Sequence, residues 1–136
     1  MAYARITREY QKNAVNGASP LQLVVMLYDG ALKHMEAGKK ALEQGDREVQ
    51  NASLQKAQKI VMELMSCLDM KEGGEIATNL LSLYSYTLNE LVLGNMSEDP
   101  SAIDRAIKVF TDLRESWRSI QASLRAAPVQ EPRLAA

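Results

Sequence analysis

Residues 19–44 read SPLQLVVMLYDGALKHMEAGKKALEQ, and this stretch decides the fold. Ser19 is a favoured N-cap, and Pro20 suits the first helical position. Gln22, three residues after Ser19, completes a capping box. Apolar or small residues then recur at Leu23, Val24, Leu27, Ala31, Met35, Gly38 and Leu42. That is 3,4-spacing over about six turns, the pattern of an amphipathic helix. Gly45-Asp46 ends it.

The same pattern continues outward. Asp46 can cap a second helix with Val49, Ser53, Ala57, Ile60, Leu64, Cys67 and Leu68 on its core stripe. Residues 69–74, with Gly73-Gly74, break it. A third helix carries Ile76, Ala77, Leu80, Tyr84, Thr87, Leu88 and Leu91, and ends near Gly94-Asn95. Asp99-Pro100 repeats the cap-then-proline signal. The fourth helix carries Ile103, Ala106, Phe110, Leu113, Trp117, Ile120 and Leu124, and Ala127-Pro128 stops it.

Short connections make consecutive helices antiparallel neighbours. The expected fold is therefore all-α: an antiparallel up-down four-helix bundle over residues 19–127. An additional short N-terminal helix or arm is expected over residues 1–18, because Tyr3, Ile6, Tyr10 and Val15 fall at roughly helical spacing. Residues 128–136 hold two prolines and little to bury, so a disordered tail is expected.

Composition narrows the function. The formal net charge is −1, which gives no reason to expect nucleic acid or an anionic membrane as partner. The longest uncharged apolar stretch, Leu23 to Tyr28, is far below the roughly 20 residues of a membrane-spanning helix, so no membrane insertion is expected. The N-terminus has no apolar core of a secretory signal. The one cysteine, Cys67, cannot form an intramolecular disulfide, and the simplest reading is a reducing, cytoplasmic setting.

Groups for catalysis are missing. His34 is the only histidine, so a paired Glu-x-x-His di-metal site cannot be built, and a neutral histidine at the core edge is the better reading. Cys67 falls on the core stripe and reads as a small hydrophobe. Gly73-Gly74 follows a helix and lacks the Lys-Ser/Thr of a phosphate loop. Trp117 reads as a core anchor. No cofactor, metal or enzymatic activity is expected.

The apolar content exceeds one stripe per helix. Leu21, Val25, Tyr28 and Leu32 form a second stripe beside the first on helix one. Leu54, Met62 and Met65 flank helix two. Leu81 and Val92 flank helix three, with Tyr86 and Leu93 roughly opposite its core. Ile107 and Val109 stand on the two sides of helix four. Two readings are open: scattered rim positions, which are normal on any surface, or grooves for an amphipathic partner.

The motifs also carry a resemblance. Tyr10, then Val15-Asn16-Gly17-Ala18-Ser19-Pro20, Leu23 and Met26-Leu27-Tyr28-Asp29-Gly30-Ala31 resemble the opening signature of the flagellar export chaperone family FliS. Leu68-Asp69, Gly73-Gly74-Glu75-Ile76-Ala77, Asn79-Leu80, Leu83-Tyr84 with Tyr86, and Leu113-Arg114 with Trp117 follow in the same register. Gly17 stands where the family usually has Thr or Ser.

The resemblance implies a cytoplasmic helical bundle. The implied client is the C-terminal segment of flagellin, kept from premature polymerisation and delivered to the type III export apparatus at FlhA; a co-chaperone is a further partner left open. It also implies that the arm up to about residue 17, with Tyr10 as its aromatic, covers part of the client surface. The expected client-binding or arm-covered surface is Ile6, Tyr10, Leu21, Val25, Tyr28, Leu54, Met62, Met65, Leu81, Tyr86, Val92, Leu93, Ile107 and Val109. The alternative is a structural, self-associating bundle, or an adaptor for another helical partner.

Overall fold

The computed structural model describes residues 19–126, so the expected arm, with Ile6 and Tyr10, and the tail lie outside the described residues. The described residues form four helices and no strand: α1 (Pro20–Gln44), α2 (Arg47–Ser66), α3 (Met70–Met96) and α4 (Pro100–Ala126).

The local signals account for the boundaries. Ser19 Oγ accepts from the Gln22 N–H at 3.1 Å, and the Ser19 N–H donates to Gln22 Oε1 at 2.6 Å, so the capping box is closed. Gly45 ends α1 at φ 76°, a left-handed conformation that glycine adopts without a Cβ clash. Asp46, Asp69 and Asp99 each accept backbone N–H groups at the starts of α2, α3 and α4. Within α3, Met70–Gly73 makes a single turn, and Gly74 at φ 53°, ψ −130° breaks the ladder before the helix resumes.

α1 packs on α2 and α4, and α3 packs on the same two helices. Along α1–α2 and α1–α4, positions in contact run in opposite directions. Gly38 lies against Leu54 and Gly30 against Ile60. Gln50 meets Asn95, Glu90 meets Arg105, and Lys39 meets Asp104 while Asp29 meets Arg114. Gly38 has a packing reason: a Cβ there would come within 2.5 Å of the buried Leu54 side chain, so only glycine lets α1 and α2 approach this closely.

The core is one cluster centred on aromatics. The Tyr28 ring lies 4.7 Å from Phe110 and 6.5 Å from Trp117, and Tyr84 lies 5.9 Å from Phe110. The Tyr28 and Tyr84 hydroxyls share a 2.6 Å hydrogen bond inside it. Burial pushes both phenols up in pKa, so the pair stays neutral and each oxygen is satisfied by the other. The Trp117 indole N–H also lies on the Tyr28 side, outside ordinary hydrogen-bond geometry. Each fully buried large side chain here contributes roughly 1.5–3 kcal/mol.

Several expectations are corrected. Tyr28 and Leu54, expected on the client-binding or arm-covered surface, are fully buried, and Val25 is buried, so among the described residues none of the three is exposed. The second stripe of α1 is not surplus. A helix with two neighbours needs two buried stripes, and one faces α2 while the other faces α4. Val49, Cys67, Ile76, Ile120 and Leu124, expected on core stripes, are exposed. On α2 the buried line is Leu54, Ala57, Val61 and Leu64, so the helix is rotated relative to the expected stripe. Cys67 falls at the C-cap, and Ile120 and Leu124 lie in the last turns of α4.

Candidate functional site

The apolar residues left outside the core sort into distinct places. The helix rows are fixed by cross-helix hydrogen bonds, because residues three and four apart share a face.

The first place is the α2–α3 groove. Gln50 Nε2 donates to Asn95 Oδ1 at 2.9 Å, and Asn95 Nδ2 donates to Asn51 Oδ1 at 2.8 Å. These amides close one end of the groove. The α2 row through Asn51 continues with Gln55, Gln58, Met62 and Met65. The α3 row through Asn95 runs back through Val92, Leu88, Ser85 and Leu81. Met62 and Val92 are exposed, and Met65 and Leu81 are half-buried. Four of the expected residues therefore fall on the two rows that run from the Asn51–Asn95 contact, and two of them are methionines, whose side chains adapt to an uneven partner.

The second place is the α3–α4 side. The Arg105 guanidinium donates through Nε at 3.0 Å and approaches through Nη2 at 2.9 Å, both onto Glu90 Oε1. That pair marks which side of α3 faces α4. Tyr86, Glu90 and Leu93 share this side with Leu83 and Ile76. Tyr86 is 40% exposed, Leu83 37%, Leu93 44% and Ile76 71%. On α4, Val109 is one turn beyond Arg105 and half-buried, and Ile120 is three turns further and exposed. Tyr86, Leu93 and Val109 thus belong together. Ile76 and Leu83 join them, although the apolar spacing puts Ile76 on the core stripe and gives Leu83 no surface role. The signal that could have found them is the 3,4-row shared with Tyr86 and Leu93.

Two expected residues lie elsewhere. Leu21 lines an open apolar pocket of about 460 Å³ where the first turn of α1 meets Gln121, Leu124 and Arg125 of α4. Ile107 is on the α1 side of α4, in the row of Thr111 and Arg114. Those two residues line a smaller pocket with Asp29, Leu32, Lys33 and Glu36. There Asp29 Oδ1 accepts from Arg114 at 3.1 Å and Arg118 at 3.3 Å, which ties α1 to α4.

The chemistry of these surfaces is that of contact. Among the described residues no group of three His, Cys, Asp or Glu side chains could hold a metal, and no helix is long and apolar enough to cross a membrane. His34 is half-buried. Burial, with Lys56 and Lys33 nearby, lowers its pKa and favours the neutral ring. Partial burial raises the Cys67 thiol, which keeps it protonated and a weak nucleophile.

Comparison with known proteins gives these surfaces a context. The family described as "Flagellar protein FliS" matches residues 2–124. The flagellar secretion chaperone FliS of Salmonella typhimurium is 39% identical, over 88% of this chain and 87% of the relative. The protein of the same name from Vibrio cholerae is 36% identical, over 88% and 85%. That from Bacillus subtilis is 35% identical over 80% of each chain. These relatives are chaperones, not enzymes, and a chain whose described residues are helical, with exposed apolar side chains, fits among them. The chain belongs to the FliS family of flagellar secretion chaperones.

Proposed function

We propose that this protein holds the C-terminal segment of flagellin in the cytoplasm, prevents its premature polymerisation and delivers it to FlhA of the type III export apparatus. The observation that carries this reading is the set of exposed apolar residues on both sides of α3, within a chain of the FliS family. We read the four helices as an antiparallel up-down bundle in which α3 is the shared wall of two grooves.

The physics suits that task. A flagellin segment that folds only on binding can spread over both grooves, and its ordering cost lowers the net affinity. Moderate affinity allows release without a nucleotide. The N-terminal arm, through Ile6 and Tyr10, covers part of this surface until the client arrives.

Calorimetry of the full chain with a peptide matching the flagellin C-terminus tests the reading. We expect binding with a negative heat-capacity change and a gain in peptide helicity. A peptide that neither binds nor gains helicity refutes it.

A further inference from the structure

The exposed row of α3 has an order that client binding in general does not require. Ile76, Asn79, Leu83, Tyr86, Glu90 and Leu93 follow one another at intervals of 3, 4, 3, 4 and 3. That is an unbroken heptad seam, with a positions at 76, 83 and 90 and d positions at 79, 86 and 93. Four of the six are large and apolar, and all four are exposed. Along α3 the seam lies beside the buried row of Ala77, Tyr84 and Leu91, so the helix carries two working faces.

One of the two polar members, Glu90, differs from an ordinary surface residue. Glu90 has a side chain only 15% exposed, yet it stands in line with the exposed apolar anchors. Arg105 approaches its Oε1 through both Nε and Nη2, which leaves Oε2 as the acceptor that can face a docked helix. An apolar side chain laid over Glu90 would strip water from that oxygen without replacing the hydrogen bond. A donor laid there would restore it. Asn79, at a d position, makes the same demand eleven positions earlier. A single polar residue in a heptad seam fixes register for this reason.

Accepting the proposed client reading, we propose that the α3 seam takes one client helix in coiled-coil fashion, and that Asn79 and Glu90 set its register by requiring hydrogen-bonding partners at two matching heptad positions. The occupant is an amphipathic helix whose apolar face is interrupted by polar residues eleven positions apart. The grooves alone would accept any apolar helix, whereas this seam selects one alignment.

The probe is a synthetic helix of about three heptads with Leu at every a and d position. Gln replaces Leu at one such position at a time, and each peptide is titrated into the full chain. We expect Gln to be tolerated or favoured at two positions eleven residues apart and to weaken binding by at least about tenfold at the others. In Glu90→Leu the tolerance at the position facing residue 90 disappears. Glu90→Gln, which keeps the hydrogen-bonding shape, retains it. Thermal midpoints of both variants check that the fold is intact.

A flat profile along the helix overturns the proposal, as does failure of every host helix to bind. A dimer in sedimentation that Tyr86→Asp abolishes also overturns it, because a second copy would then occupy the seam. The flagellin peptide is run in parallel. If it binds while the scan is flat, only the register claim fails; if it does not bind, the client reading fails.

Discussion

Tyr84 and Tyr86 are two residues apart on α3 and should respond oppositely to the same substitution. Tyr84 is 2% exposed and shares a hydrogen bond with Tyr28, whereas Tyr86 is 40% exposed beside Arg105. Tyr84→Asp removes a buried ring, buries a carboxylate among aromatics and orphans the Tyr28 hydroxyl. Those losses together exceed about 4–5 kcal/mol, enough to unfold a marginal domain. Tyr86→Asp leaves the core intact and should cost less than about 1 kcal/mol of stability. Its effect falls on binding. A docked client would cover the exposed 40% of the ring, worth about 1 kcal/mol. Setting a carboxylate against an apolar anchor adds about 1–3 kcal/mol. The sum predicts a loss of client affinity of roughly 30- to 1000-fold. Calorimetry with the flagellin peptide and a thermal melt on each variant measure the two effects separately. Equal losses of affinity and thermal midpoint in Tyr86→Asp would refute the reasoning, because they would make Tyr86 a core residue.

Three further outcomes follow from the core and from His34. Tyr28→Phe or Tyr84→Phe should each cost about 1–3 kcal/mol in chemical denaturation by leaving one buried hydroxyl unsatisfied, while the double variant costs less than the two singles added; strict additivity would mean that the 2.6 Å contact is not a working hydrogen bond. Gly38→Ala should lower the thermal midpoint by several degrees, because its Cβ meets the immobile Leu54; a raised midpoint would show that helix propensity outweighs the clash. His34 has a folded pKa below its unfolded value near 6.5, so the unfolded state takes up the proton first. Its contribution is present above about pH 6.5 and is lost as pH falls through the folded pKa. His34→Gln should flatten the stability profile just below about pH 6.5, and an unchanged slope would assign that pH dependence to other groups.

The parts of the fold legible in the sequence were those with local causes. The Ser19–Gln22 box, the Asp46 and Asp99 caps and the Gly74 break all act within a few residues. The stripes were less legible, because a helix between two neighbours buries a wide arc and its centre depends on the crossing. That is why Leu54 and Tyr28, set apart as flank residues, are in the core, and why Val49 and Cys67, placed on it, are exposed. Near Ile76 and Ile120 the apolar periodicity continues while both side chains stay exposed, and periodicity alone cannot separate core from docking face. The placement of Met62 and Val92 along the α2–α3 contact, and of Tyr86 opposite Val109, needed the cross-helix contacts of Asn95 and Arg105.

An NMR shift map of the full chain, titrated with the flagellin C-terminal peptide, tests the central claim most directly. The account predicts shifts concentrated at Ile76, Leu83, Tyr86 and Leu93 on one side of α3 and at Met62 and Val92 on the other, with Ala31 and Phe110 little changed. Shifts confined to the charged outer face around Lys33, Lys40 and Lys59, or none at saturating peptide, would contradict it.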